Sequence, residues 1–305
     1  MKSDKVMWCR SNWPKRLLRC CAFVVLAATA GIASACELAP GGSLADVVVN
    51  YDPFAVNTAH GVLDVELENV GDVECDVRLT FTTSGGQPIG FVTIGGIELT
   101  LKPRDASGSL RAESGPGSFV FKLAAHSRGR AEFDAIILKD AVTEAGEQSV
   151  ALALNVRSLE GVSLLGQRPF NLKLSTARRA QMNIAGAAGA FGSGGTVAEI
   201  DFGVLETGKS RRIFLQVRAN SKTELTVSSL NHGFLKHVGQ GDTALISYAV
   251  LLDGRTLDLS AVAVATLDLP LTIEGRSSSL DFVLGEVSGP PGRYEDILTV
   301  DVAPL

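Results

Sequence analysis

The chain has 305 residues, with 28 Lys and Arg against 33 Asp and Glu, a formal charge of −5 and 46% hydrophobic residues. The short basic groups "RGR" from 128 and "ARRA" from 177 form no stripe. Nucleic acid is therefore excluded as a partner, since phosphate contacts need clustered cations.

Arg10, Lys15, Arg16 and Arg19 precede the apolar run "CCAFVVLAATAGIA", which leads to the small residues "ASA". This predicts a secretory signal peptide over residues 1–35. The competing reading, a retained anchor, has fewer apolar residues than the roughly 20 that a bilayer needs. Cleavage after Ala35 removes six basic residues (Lys2, Lys5, Arg10, Lys15, Arg16, Arg19) and one acid (Asp4), moving the formal charge to −10. Cys9, Cys20, Cys21 and both tryptophans leave with it, and Cys36 and Cys75 remain. Two readings of that pair stay open. An even pair in an exported protein suggests one disulfide, whereas "SAC" read as a lipobox makes Cys36 a lipidated N-terminus and the protein an outer-membrane lipoprotein.

From there the chain reads as short strands. "VELENVGDVECDV" (65–77) holds two, joined by a polar turn, and "FVTIGGIELTL" (91–101) is a hairpin about Gly95-Gly96, a dipeptide that accepts the positive φ of a two-residue turn. Between them, "SGGQPIGF" places Pro88, Ile89 and Phe91 beside glycines, and "LEGVSLLGQRPF" later does the same for Leu164 and Leu165. These five residues are candidate surface-contact positions, or else strand ends facing the core. "AGEQSVALALNV" (145–156) is a further strand, and "RRAQMNIAGAAGAFGSGGT" (178–196) is a linker or a loosely held edge segment.

The same patterns then recur. "LQVRANSKTELTV" (215–227) aligns without a gap to 65–77, pairing Cys75 with Leu225, and "AVLLDGRTLDL" (249–259) aligns to the Gly95-Gly96 hairpin. "LDFVLGEVSGPPG" parallels "AEFDAIILKDAVTEAG", matching Phe282 to Phe133. The closing "PGRYEDILTVDV" matches 145–156, setting Leu298, Val300 and Val302 on Leu152, Leu154 and Val156. In that closing stretch Tyr294, Leu298, Val300 and Val302 share one face of a half-buried strand, with Asp296 interrupting it. Four matches in one order indicate duplication. Each repeat has roughly seven short strands without a helical period, which predicts an all-β chain of two tandem immunoglobulin-like sandwiches, residues 36–174 and 175–305.

Motifs of catalysis are missing. His60, His126, His232 and His237 are scattered, no GxSxG, HExxH, GxxxxGK[ST] or CxxC occurs, and "GAFGSGG" lacks the following Lys-Ser/Thr of a phosphate loop. Neither an enzyme nor a cofactor is expected. Stacking on sugars is poorly supported, because residues 36–305 contain no Trp and only Tyr51, Tyr248 and Tyr294.

The opening "CELAPGGSLADVVVNYDPF", a second cysteine about 40 residues on, "IDFGVLETG" and "PGRYEDILTVDV" together resemble the spore coat protein U-like domain, the subunit module of archaic chaperone/usher pili. The resemblance spans two copies, and the second departs from it in lacking the cysteine. It implies that the C-terminal sandwich lacks its last strand and is completed by the donor strand of a neighbouring subunit. It further implies a periplasmic chaperone and an outer-membrane usher as partners, and Tyr294, Leu298, Val300 and Val302 as the acceptor-groove strand. In the first repeat "SLEGVSLLGQRPFNLKLST" is long enough to complete the domain from within or to serve the second. With Cys36 almost at the mature N-terminus, no donor segment is expected ahead of it, which points to the pilus tip. A shaft or adaptor pilin and a periplasmic or lipid-anchored binding protein are the alternatives.

Overall fold

The computed structural model describes residues 36–55, 59–104, 109–138, 141–159, 164–185, 191 and 197–305, so the expected leader lies outside the described residues. The first half contains β1 (Val47–Tyr51), β2 (His60–Asn69), β3 (Cys75–Thr83), β4 (Val92–Ile94), β5 (Ile97–Pro103), β6 (Leu110–Ala112), β7 (Ser118–Leu123), β8 (Ser127–Ile137), β9 (Gly146–Ser158) and β10 (Leu164–Thr176). The second contains β11 (Ala180–Ile184), β12 (Ser210–Ala219), β13 (Thr223–Ser229), β14 (Phe234–His237), β15 (Gly241–Leu252), β16 (Arg255–Leu257), β17 (Ala263–Leu267), β18 (Arg276–Leu284), β19 (Tyr294–Glu295) and β20 (Leu298–Pro304). The protein is all-β. Alternation builds it: β2 buries Leu63, Val65 and Leu67 while Asp64 and Glu66 face outward, and β13 buries Leu225 and Val227 between partly exposed Glu224 and Thr226.

An immunoglobulin sandwich of the constant type packs strands A, B, E and D against C, F and G. In the second half the sheet β11-β12-β18-β15, continued by β14 and β19, is the A-B-E-D layer, and β17-β13-β20 supplies C and F. In the first half β2-β8-β5-β4 carries B, E and D. Facing it, β1-β10-β9-β3-β7-β6 carries C, F and G, with β10 as the G strand. The segment after Val156 thus closes the first half, pairing antiparallel with β9 and parallel with β1. Phe81, Phe119, Phe133 and Phe170 meet edge to face at the centre of this core, with centroids 4.9 to 6.1 Å apart.

Strand pairing corrects two of the alignments. Val156 lies opposite Leu79, and its counterpart Val302 lies opposite Leu225, so Leu225 corresponds to Leu79 and not to Cys75. The connection from β12 to β13 is two residues shorter than that from β2 to β3. The gapless match therefore slips by two residues in one strand and four in the next. Both slips are even, so every side chain stays on its expected face. The two hairpins do form, with Gly95, Gly96, Asp253 and Gly254 all at positive φ. They occupy different places, however: β5, after its turn, pairs with β8, whereas β15, before its turn, pairs with β18.

Cys36 and Cys75 form a disulfide with a Cα separation of 5.3 Å. A lipidated Cys36 has no sulfur free for that bond. The disulfide holds the segment before β1 against the end of β2, where Leu38 bridges Asn69 and Ala39 N donates to Glu68 O. Cross-linking 39 residues apart contributes about 4 kcal/mol in the chain-entropy picture.

Asn220, fully buried, joins the halves. Its Nδ2 donates to Ala177 O (2.8 Å), its Oδ1 accepts from Arg179 N (2.8 Å), and Ala145 N donates to its carbonyl (2.9 Å). Arg179 also pairs with Asp52 at 2.6 Å, and the Arg218 guanidinium lies over the rings of Phe54 and Phe191 at 4.6 and 4.4 Å. Of the Ala/Gly-rich segment, residues 180–184 form the edge strand β11, while 186–190 and 192–196 lie outside the described residues.

Replacing Cys75 by Ala is expected to lower the stability of the first half by about 4 kcal/mol. Denaturant titration with hydrogen exchange on β2 and β3 reads it, and an unchanged midpoint refutes the contribution.

Candidate functional site: an open sheet edge

β20 pairs with β13 from Ser229↔Leu298 to Thr223↔Pro304. Among the described residues no strand pairs with its other edge. The first half provides the internal reference, because β9, the counterpart of β20, is covered on that same side by β10. Leu152, Leu154 and Val156 are 2%, 0% and 2% exposed, whereas Leu298, Val300 and Val302 are only partly buried. Met182 and Ile184 of β11 and Ile213 of β12 pack against the second core in the same half-covered state. These partly exposed apolar side chains line a lane between β20 and β11.

The polarities flanking this lane repeat those around β10. Ala180 pairs with Ala219 and Pro304 with Thr223, so β11 leaves the joint between the halves and β20 returns to it. A strand antiparallel to β20 would run parallel to β11, as β10 runs antiparallel to β9 and parallel to β1. β11 and β20 come within 8 Å, Cα to Cα, without pairing. Two strand spacings measure about 9.6 Å, so a further strand must displace β11 outward.

Of the expected groove residues, Leu298, Val300 and Val302 lie on β20 and face the lane. Tyr294 does not. It belongs to β19, which pairs with β14 in the opposite layer, and its ring meets His237 edge to face at 4.9 Å. Residues 294–302 are therefore two strands, and the interruption at Asp296 is the point where the chain changes sheets. Asp296 is held there by Ser229 Oγ (2.6 Å) and Tyr248 OH (2.5 Å) on Oδ2, and by Asn231 N (2.9 Å) on Oδ1. Burial, then the bond to Asp296, pushes the Tyr248 phenol well above its usual value. From the sequence alone Asp296 is a defect in a strand face, and an acid breaking an apolar alternation is the signal that marks the corner.

The candidate contact residues are not brought together. Thr82 bridges Pro88 and pairs with Ala153, whereas Leu164 pairs with Arg157, four residues further along β9 and about 13 Å away. Ile89 and Leu165 pack against the first core, Pro88 is exposed, and Phe91 and Leu164 are 57% and 49% exposed. The former two thus follow the core-facing reading. The four histidines stand apart: His126 pairs with Asp72, and His237 Nδ1 accepts from Gly239 N and Gln240 N. Among the described residues no group of three His, Cys, Asp or Glu is placed to hold a metal ion, and no helix could cross a membrane.

No protein family and no curated protein matches the sequence. Solved structures similar to this chain include the CfaE adhesin of enterotoxigenic E. coli, at 11% identity and TM-score 0.42, covering 88% of this chain and 94% of that one. The CupB6 tip adhesin of Pseudomonas aeruginosa follows at 12% and 0.37, covering 88% and 93%. A chain of the CsuC-CsuE chaperone-tip adhesion subunit complex of Acinetobacter baumannii matches at 9% and 0.41, covering 87% and 99%. At such identities, and with TM-scores below 0.5, these likenesses carry no argument about function.

Asp296→Ala should destabilise the second half by roughly 3 kcal/mol, since it strands three donors, two of them in buried side chains. The measurement is hydrogen exchange along β13 and β20. Unchanged protection would show that the corner does not hold the strand.

Proposed function

We propose that this protein is an exported subunit of a chaperone/usher pilus of the spore coat protein U-like kind, placed at the tip and completed by donor-strand complementation. The observation that carries the reading is the contrast between the two halves. The same strand pattern is buried where β10 covers it and half-covered along β20. An incoming strand would form main-chain hydrogen bonds along β20 and lay alternate apolar side chains between Leu298, Val300, Val302, Met182 and Ile184. Burying four or five such side chains is worth about 6 to 15 kcal/mol, comparable with the stability of a whole domain. A periplasmic chaperone would fill the lane during transit, an outer-membrane usher would exchange it for a neighbour's strand, and the finished fibre would stand on the cell surface.

The tip position is favoured by the first half, which has its own β10 and so is free to act as the contact module. The disulfide disfavours the lipid-anchored alternative, because both need the sulfur of Cys36.

Adding a peptide of alternating apolar residues to the full mature chain should slow amide exchange on β20 at least tenfold, and Val300→Asp should abolish the effect. No protection at saturating peptide would refute an acceptor lane. In the producing cells, immunogold against this chain should mark fibre ends. Label spaced along the shaft would overturn the tip position while leaving the lane intact.

A further inference from the structure

The outer face of the β10-β9-β3 layer in the first half carries a second feature, unconnected with the lane. Ala151, exposed, and Ala153, 4% exposed, alternate with the core residues Leu152 and Leu154 on β9 and so lie on its outer face. On one side the turn Thr83–Gly86 stands up beside them, closed by Gly86 N→Thr83 O (2.9 Å) and Thr83 N→Gln87 O (2.9 Å), with Gly86 at φ +82°. On the other side rises the loop before β1, pinned by Leu44 N→Pro169 O (3.2 Å) and by Asp46. That carboxylate takes Asn171 N (3.1 Å) and Asn171 Nδ2 (2.9 Å) on Oδ1 and Lys173 Nζ (3.0 Å) on Oδ2. Between these walls lies a cleft of about 500 Å³. That is the size range of small-ligand sites.

The chemistry around the cleft is selective. The Ser43 and Ser84 hydroxyls and the Gln167 carboxamide line it, and none has a protein hydrogen bond among the described residues. An apolar occupant would leave these groups dry and unpaired, at a cost for each. The single formal charge in the lining, Asp46, is already neutralised by Lys173, so a cation finds no free carboxylate and an anion no free cation. What fits is a neutral molecule rich in hydroxyls, each able both to donate and to accept, with a C–H face for Leu44, Pro169 and the two alanines.

We propose that this cleft is a binding site for a short neutral saccharide, held by hydrogen bonds and aliphatic contact instead of aromatic stacking. The site is built from the first half alone and stands whether or not the second half accepts a strand.

The probe is a panel of neutral mono- to tetrasaccharides of glucose, galactose, mannose and N-acetylglucosamine, read by saturation-transfer NMR on the full mature chain. At least one member should bind. Ala151→Trp fills the floor from an exposed position and should abolish binding without moving the melting temperature. Gln167→Ala, also exposed, should weaken it about fivefold to tenfold, the loss of one hydrogen bond. Binding that survives Ala151→Trp, or no binding at millimolar concentrations, overturns the proposal.

Discussion

A β-strand carries hydrogen-bonding groups along both edges, and the organisation of this protein follows from where the second edge of one strand finds its partner. In the first half β9 is paired on both sides, by β3 and β10, and the core beneath it is dry. In the second half β20 is paired by β13 alone among the described residues, and its apolar side chains remain partly exposed. The two halves thus share one strand pattern and differ in whether this strand has a second neighbour among the described residues. Unpaired edges are normally guarded by charge, by proline or by a covering loop. β20 has Asp301 on its opposite face and Pro304 only at its last residue, so neither interrupts the apolar row from Leu298 to Val302.

A strand with one neighbour needs other restraints, and Asp296 provides them. The chain reaches β20 from the opposite layer, and the carboxylate at the crossing is tied to β13 through Ser229, to β15 through Tyr248 and to the intervening turn through Asn231. Ser229 in turn receives Gly233 N at 2.7 Å. The corner fixes the start of β20 in both layers at once, so its register against β13 does not depend on a second neighbour.

Much of this was legible in the amino-acid sequence, and for a physical reason. Period-two alternation reports which face of a strand is buried, so the all-β class, the strands and the lane residues Leu298, Val300 and Val302 could be read directly. Alternation is silent about register. A slip of two or four residues leaves each apolar side chain on its proper face, and for that reason Leu225 was matched to Cys75 although it plays the part of Leu79. The same limit hid the change of sheet at Asp296, since Tyr294 continues the alternation that Leu298 resumes. The saccharide cleft was invisible because its floor is defined by what alanine lacks, and its walls, Ser43 to Asp46 and Thr83 to Gly86, are distant in sequence. Pro88 and Leu164 looked alike as glycine-flanked apolar loops, and nothing local separates positions that lie at different heights along β9.

The joint at Asn220 has a mechanical consequence. A buried side chain that bonds both to the connecting segment and to Ala145, reinforced by Arg179 on Asp52 and by Arg218 over Phe54, resists bending and twisting about the connection. Any pull on the first half is therefore delivered as torque to the beginning of β13 and the end of β20, where Thr223 faces Pro304 only three residues from Asn220. A drag force on one half would thus be felt as shear along the lane in the other.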